Sequence, residues 1–264
     1  MQQEQLDGLK QWFSGFVAGF YADGDDFINE NVKLKECHTH RVCNEMRQLS
    51  CALRLDEDDC RLAEAIALLH DVGRFPQIQK YRTYKDAESV NHCLLGVEVL
   101  QETDILKNLD TEERNIIIKS IEVHGIKELP ALEVQTALFA KLIRDADKID
   151  IFNLLVENYL ELAKNPDKFK SIMEVPDTDG YNPDIIDAIM SQQLINYNII
   201  QTVNDAKLLQ LGWVYDVYFD YSLKQIYERG YLQAIIDLLP EAEAIQRATT
   251  KIMDYVKARI ERFS

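Results

Sequence analysis

Six side chains of metal-binding type fall in an ordered series along this chain: His38, the adjacent pair His70-Asp71, His92, His124 and Asp147. Four of the five histidines belong to it. The pair ends an apolar run, Ala67-Leu68-Leu69-His70-Asp71-Val72-Gly73-Arg74-Phe75. Burying a charged carboxylate in such a place is costly unless it is paired or bound to metal. Taken alone, the pair reads as a helix end with a solvated Asp and a His capping the last carbonyls. The rest of the series changes that reading. Nitrogen and oxygen donors of this kind suit divalent Mn, Fe, Ni, Co, Mg or Zn, and a set without cysteine argues against a structural zinc knot. One catalytic metal needs fewer donors if it is to keep open positions. The set fits two ions a few ångströms apart, bridged by a carboxylate.

Helices must position these residues, and the apolar spacing predicts them. Leu6, Leu9, Phe13, Phe16, Val17 and Phe20 mark a first helix over 4–22, stopped by Asp23-Gly24-Asp25. A second runs from about Asn31 to Leu53, with Val42, Met46 and Leu49 on its apolar face. His38 lies one turn before Val42 on that face. His40, two positions on, points about 200° away, with Asn44 and Arg47, so His38 is the expected ligand of the two. Asp56 caps a third helix that carries Leu62, Ala65, Ile66 and Leu69 inward and delivers His70-Asp71 at its end. Residues 74–88 are polar and aromatic, with Arg74, Lys80, Arg82 and Lys85, and read as an irregular loop. Ser89 or Asn91 opens a helix to Gln101 with His92 in its first turn. Thr111 opens another, which brings up His124 and stops at Gly125. A long stretch over 133–163 holds Asp147. A loop-like section follows Asn165-Pro166, and helical periodicity returns over 184–201, 204–229 and 241–263. No strand-like alternation persists. The expectation is one all-α domain over 1–264, with a metal-binding core at about 30–160 and accessory helices at about 184–263.

Composition narrows the function. Ten Gly and 6 Pro are few for a sandwich or barrel. A formal charge of −16 argues against nucleic acid or an anionic membrane as partner. It leaves room for a small anionic substrate, because bound metal inverts the local field. Cys37, Cys43, Cys51, Cys60 and Cys93 form no CxxC pair and read as small buried residues in a reducing compartment. The first twenty residues resemble neither a signal nor a transit peptide, and no apolar run reaches the ~18 residues of a membrane span. A cytoplasmic protein is the expectation.

The order His … His-Asp … Asp, opening at His38-Thr39-His40-Arg41-Val42 and closing at Ala146-Asp147-Lys148, resembles the HD superfamily of metal-dependent phosphohydrolases over roughly residues 30–160. His92, in Asn91-His92-Cys93-Leu94-Leu95-Gly96, and His124 are similar to the additions of the two-metal branch, seen in HD-GYP-type phosphodiesterases and some nucleotide hydrolases. The dyad here reads His-Asp-Val-Gly-Arg, and the Gly-Tyr-Pro signature is missing. The resemblance implies an all-α HD core with His38, His70, Asp71, His92, His124 and Asp147 as metal ligands. Asp71 would bridge two ions as an ionised carboxylate. Arg74 and Lys148 would bind phosphate oxygens, against the plainer reading of surface pairing with this chain's many acids. The implied reaction is in-line attack on phosphorus by metal-activated hydroxide, the substrate being a nucleotide or other small phosphorylated compound. Two alternatives share the ligands: an HD-type di-iron oxygenase, and a non-catalytic nucleotide- or metal-binding sensor.

Overall fold

The computed structural model describes residues 1–165 and 175–263. The first residues of the loop-like section after Asn165 therefore lie outside the described residues. Among those described there is no strand, as the all-α reading expects. Among the described residues no helix is long and apolar enough to cross a membrane. The chain divides into two compact units, Met1–Asp150 and Ile151–Ser264, and the division falls inside a helix.

In the first unit, α1 (Gln3–Ala18) buries Leu6, Leu9, Phe13 and Val17. The next helix, α2 (Asp26–Ala52), starts earlier than its apolar spacing indicates, because Asp25 accepts a hydrogen bond from the Ile28 amide and caps it. The central element is α3 (Glu57–Leu69), capped by Asp56. It buries Leu62, Ala63 and the whole run Ala65–Leu69, and packs on α1, α2 and α6. The polar first half of the helix stays accessible, whereas five consecutive apolar residues, Ala65–Leu69, cover its whole circumference and have to be enclosed on all sides. The His70-Asp71 pair at its end is therefore held in a buried position.

Residues Arg74–Tyr81, expected as part of a loop, instead form a short helix, α4. It buries Phe75, Gln77 and Ile78 and ends at Arg82 in a left-handed conformation (φ 55). Phe75 stacks edge-on against Phe13 at 5.9 Å, which ties α4 to α1. Beyond a 3-10 turn at Asp86–Glu88 come α5 (His92–Glu102, capped by Asn91) and α6 (Thr111–Val123, capped by Asp110). Helix α7 (Val134–Lys164) carries Asp147 and Asp150 within the first unit.

The second unit contains the end of α7 with α8 (Pro183–Met190), α9 (Val203–Gly212), α10 (Asp220–Glu228), α11 (Tyr231–Ile236) and α12 (Glu243–Phe263). The helix expected over 184–201 ends at Met190, with only a 3-10 turn at Tyr197–Ile199 beyond it, and the one expected over 204–229 is divided by a 3-10 turn at Trp213–Asp216. Every residue of α9 is buried, so its polar side chains need partners. Asp205 accepts from the amides of Gln201 and Thr202, and Lys207 donates to the Leu238 carbonyl at 2.7 Å.

Gly73 is where α4 approaches α5. A Cβ there would collide with the His92 carbonyl and come 2.5 Å from the Gly96 amide nitrogen. The close approach sets His92 beside the end of α3. Gly73→Ala should force the two helices apart, costing about 1–3 kcal/mol and roughly 2–10 °C in melting temperature. Calorimetry checks this, and an unchanged melting temperature would show that α5 yields without cost.

Candidate metal centre

The four histidines of the series share one device. Each turns its Nδ1 toward an oxygen 2.7 Å away and its Nε2 toward a common centre. His70 and His124 sit just past the ends of α3 and α6, and their Nδ1–H groups donate back to the carbonyls of Ala67 and Ile121, three residues earlier. His38 and His92 donate instead to carboxylates, Asp150 Oδ2 and Asp86 Oδ2. Carbonyls and ionised carboxylates only accept, so the proton sits on Nδ1 and the Nε2 lone pair is left for the centre. All four histidines are buried. The Nε2 atoms of His38 and His70 make no hydrogen bond. Those of His92 and His124 face each other at 3.3 Å. With both rings neutral these nitrogens would oppose lone pairs, so the contact needs either a proton on His124, whose pKa is raised above its usual value, or a cation between the two.

Asp71 lies at the middle of the four. Its Oδ2 is 3.6 Å from both His38 Nε2 and His70 Nε2. Its Oδ1 is 3.8 Å from both His92 Nε2 and His124 Nε2. Asp147 joins the first side, with Oδ1 3.1 Å from His38 Nε2 and 3.8 Å from His70 Nε2. The six expected ligands thus fall into two pockets that share one carboxylate. Cys93, left out of the set by sequence reasoning, enters the second pocket, with Sγ 3.4 Å from His92 Nε2. Gly125 leaves space there, since a Cβ would stand 2.9 Å from that sulfur and 3.1 Å from His92 Cε1. Both pockets fit a cation: His38, His70 and Asp71 converge in one, and His92, Cys93 and His124 in the other.

Electrostatics agree with this. Burial works against ionising Asp71, but the charge of Lys35, then His70, His124 and Arg74, holds its carboxyl well below the usual range. Burial pushes His70 down to about 4, so it is neutral at pH 7, as a ligand must be. Burial also opposes protonation of His124, yet Cys93 and Asp71 outweigh it and raise that imidazole well above its usual value. The second pocket attracts positive charge.

Outer contacts hold the ligands. Arg41 donates to both oxygens of Asp150, through Nε at 2.6 Å and Nη2 at 3.1 Å. Arg74 Nη1 donates to Gln77 Oε1, the Tyr84 carbonyl and Asp86 Oδ1, while its Nε lies 3.5 Å from Asp71 Oδ1. Arg144 Nη1 donates to the His124 carbonyl at 3.1 Å and to that of Ile126, which pins the end of α6. Lys148 is half-buried on α7 directly after Asp147. Sequence reasoning missed Lys35, whose Nζ is 2.8 Å from Asp71 Oδ2, as well as Asp86 and Asp150. A helical signal existed for two of them: Lys35 precedes His38 by three residues, and Asp150 follows Asp147 by three.

Residues 36–151 match the profile of the HD domain family. This segment is an HD domain. All six expected ligands lie inside the match, and Lys35 lies one residue outside it. HD domains are in general those of metal-dependent phosphohydrolases. No curated protein and no solved structure gives a match to the chain.

The two histidines of His38-Thr39-His40 have opposite settings: His38 is buried, while His40 is exposed and stands edge-on to Phe13. His38→Ala should lose at least one metal ion per chain, and His40→Ala should lose none. Elemental analysis decides; a metal-free His40 variant beside a fully loaded His38 variant would refute the ligand set. Asp86→Asn, which removes an anionic brace from His92, should weaken one of two metal affinities about 10- to 100-fold and spare the other. Titration with a competing chelator reads that difference.

Proposed function

We propose that the HD domain of this chain is a phosphohydrolase or phosphodiesterase that acts on a nucleotide or another small phosphorylated compound, using two divalent ions. The observation that carries this reading is the convergence of four imidazole Nε2 atoms on the two oxygens of one buried carboxylate. His38, His70 and Asp147 with Asp71 Oδ2 would hold one ion, and His92 and His124 with Asp71 Oδ1 the other. When bound, such ions supply Lewis acidity toward phosphoryl oxygens and lower the pKa of water.

The chain's own residues do the remaining work. Asp71, kept ionised by its cationic neighbours, fixes both pockets to one point and so sets where a reacting phosphorus can sit. Lys35 is half-buried, contacts Asp71 Oδ2 and stands over the Tyr84 ring at 5.4 Å. A flexible point charge there can turn from the carboxylate to a phosphoryl oxygen once other cations neutralise Asp71. Lys148, beside Asp147, is the second cation we assign to the substrate. Arg74 has Nη1 committed to three oxygens, so we assign it to holding Asp86 and the second pocket as much as to phosphate.

The test is a screen of nucleoside mono- and triphosphates, bis-phosphodiesters and non-nucleotide phosphate esters, with Mn, Ni, Co, Mg and Fe(II) supplied separately. Phosphate or phosphomonoester release with at least one pairing is the expected result. Absence of release together with dioxygen uptake by the Fe(II) protein would replace this reading with oxygenase chemistry.

Two variants sharpen it. Asp71→Ala should lose both ions and turnover while keeping its helical circular dichroism, because one carboxylate serves both pockets. Lys35→Ala should keep its metal and lose about 10- to 100-fold in kcat/KM, the size of a lost charge-assisted hydrogen bond. Loss of metal from the Lys35 variant would make it a structural residue.

A further inference from the structure

We propose that Cys93 is a thiolate ligand of the second pocket, which makes the two halves of the centre chemically unlike and biases the second toward Zn, Co or Fe(II) over Mg. The inference rests on the centre holding metal, and goes beyond the hydrolytic reading by naming a donor of a different class. The first pocket has two imidazoles, its half of Asp71 and an anion of its own, Asp147. The second has two imidazoles and the other half of Asp71. Asp86 is engaged with His92 Nδ1, on the far side of that ring from the centre. In the place where the first pocket has Asp147, the second has the sulfur of Cys93.

The spacing is that of a coordination shell. Metal–nitrogen distances near 2.0–2.1 Å and a metal–sulfur distance near 2.3 Å, set tetrahedrally, put two nitrogens about 3.3 Å apart and nitrogen and sulfur about 3.6 Å apart. His92 Nε2 and His124 Nε2 are 3.3 Å apart. Cys93 Sγ is 3.4 Å from the first and 4.0 Å from the second. One position can therefore lie within bonding range of all three donors. Cys93 is buried and sits in the first turn of α5, where the helix dipole favours an anion. Opposite it, the missing side chain of Gly125 leaves the room that the sulfur and the His92 ring occupy.

Binding is an exchange of bonds. The Sγ–H bond breaks, its proton leaves to solvent, and the sulfur lone pair forms the bond to the ion, with no change of oxidation state. A soft donor raises affinity for Zn, Co and Fe(II) and does little for Mg, which takes oxygen ligands. The first pocket, with imidazoles and carboxylates alone, lacks that bias. The chain would then hold two different ions in ordered places.

The full-length protein is loaded with Co(II), and its near-ultraviolet spectrum is read for sulfur-to-cobalt charge transfer beside the visible ligand-field bands. The expected result is a charge-transfer band in the parent protein that survives in Cys43→Ser and disappears in Cys93→Ser. The same Cys93 variant should keep cobalt in the first pocket and bind zinc at least about tenfold more weakly in the second. Cys93→Ala gives the same readout if serine disturbs α5. Cobalt bound without the band, or a band that persists in both Cys93 variants, overturns the thiolate and leaves the imidazole centre standing. A parent protein that binds no cobalt overturns this inference and the metal-centre reading together.

Discussion

Asp71 stands just past the enclosed last turns of α3 and is itself buried, and an ionised carboxylate in such a place costs several kcal/mol, as an order of magnitude, unless positive charge surrounds it. Most of what is unusual in the first unit answers that cost. Lys35 reaches it from α2 and Arg74 approaches from α4, while four imidazole Nε2 atoms face its oxygens at distances that leave room for cations between. The arrangement cannot be relieved by moving Asp71 outward, because α3 is anchored through Leu62–Leu69. The charge must be met where it is. A divalent ion on each oxygen would meet it more completely than a lysine and an arginine do.

The second consequence is rigidity. Each imidazole of the centre is fixed through its other nitrogen, His70 and His124 by a carbonyl of the preceding helix turn and His38 and His92 by a carboxylate. The carboxylates are fixed in turn, Asp150 by Arg41 and Asp86 by Arg74 and Gln77. Anionic braces make His38 and His92 stronger donors than His70 and His124, whose partners are neutral. Each pocket therefore pairs one strong and one ordinary imidazole around the shared oxygen pair.

Much of this was legible in the amino-acid pattern. The 3.6-residue spacing of Val42, Met46 and Leu49 gives the register that buries His38 and exposes His40. The apolar run before His70-Asp71 shows that the dyad has to sit inside. The helix α4 was not legible, because its burial depends on Gln77, a polar residue made burial-competent by Asp86, Ser89 and the Val90 carbonyl. Those partners come from a loop whose path no local propensity specifies. Cys93 was missed for a related reason. A cysteine beside a histidine reads as packing until His124, 31 residues later, is brought against the same point.

The overall charge bears on the anionic substrate proposed above. At −16 the chain repels phosphate at long range. Screening confines that repulsion, since the Debye length is about 8 Å at physiological ionic strength. On the proposed reading the centre would act at shorter range and in a lower dielectric, where Lys35, Arg74 and any bound divalent ions would outweigh Asp71 and Asp147. An excess of acid elsewhere does not weaken that local field much. It does penalise polyanions that would have to lie along the surface, such as nucleic acid, more than a compact phosphate ester that enters the centre alone. On the proposed reading, the chain's overall acidity would thus favour a small phosphate ester over a polyanion by charge alone.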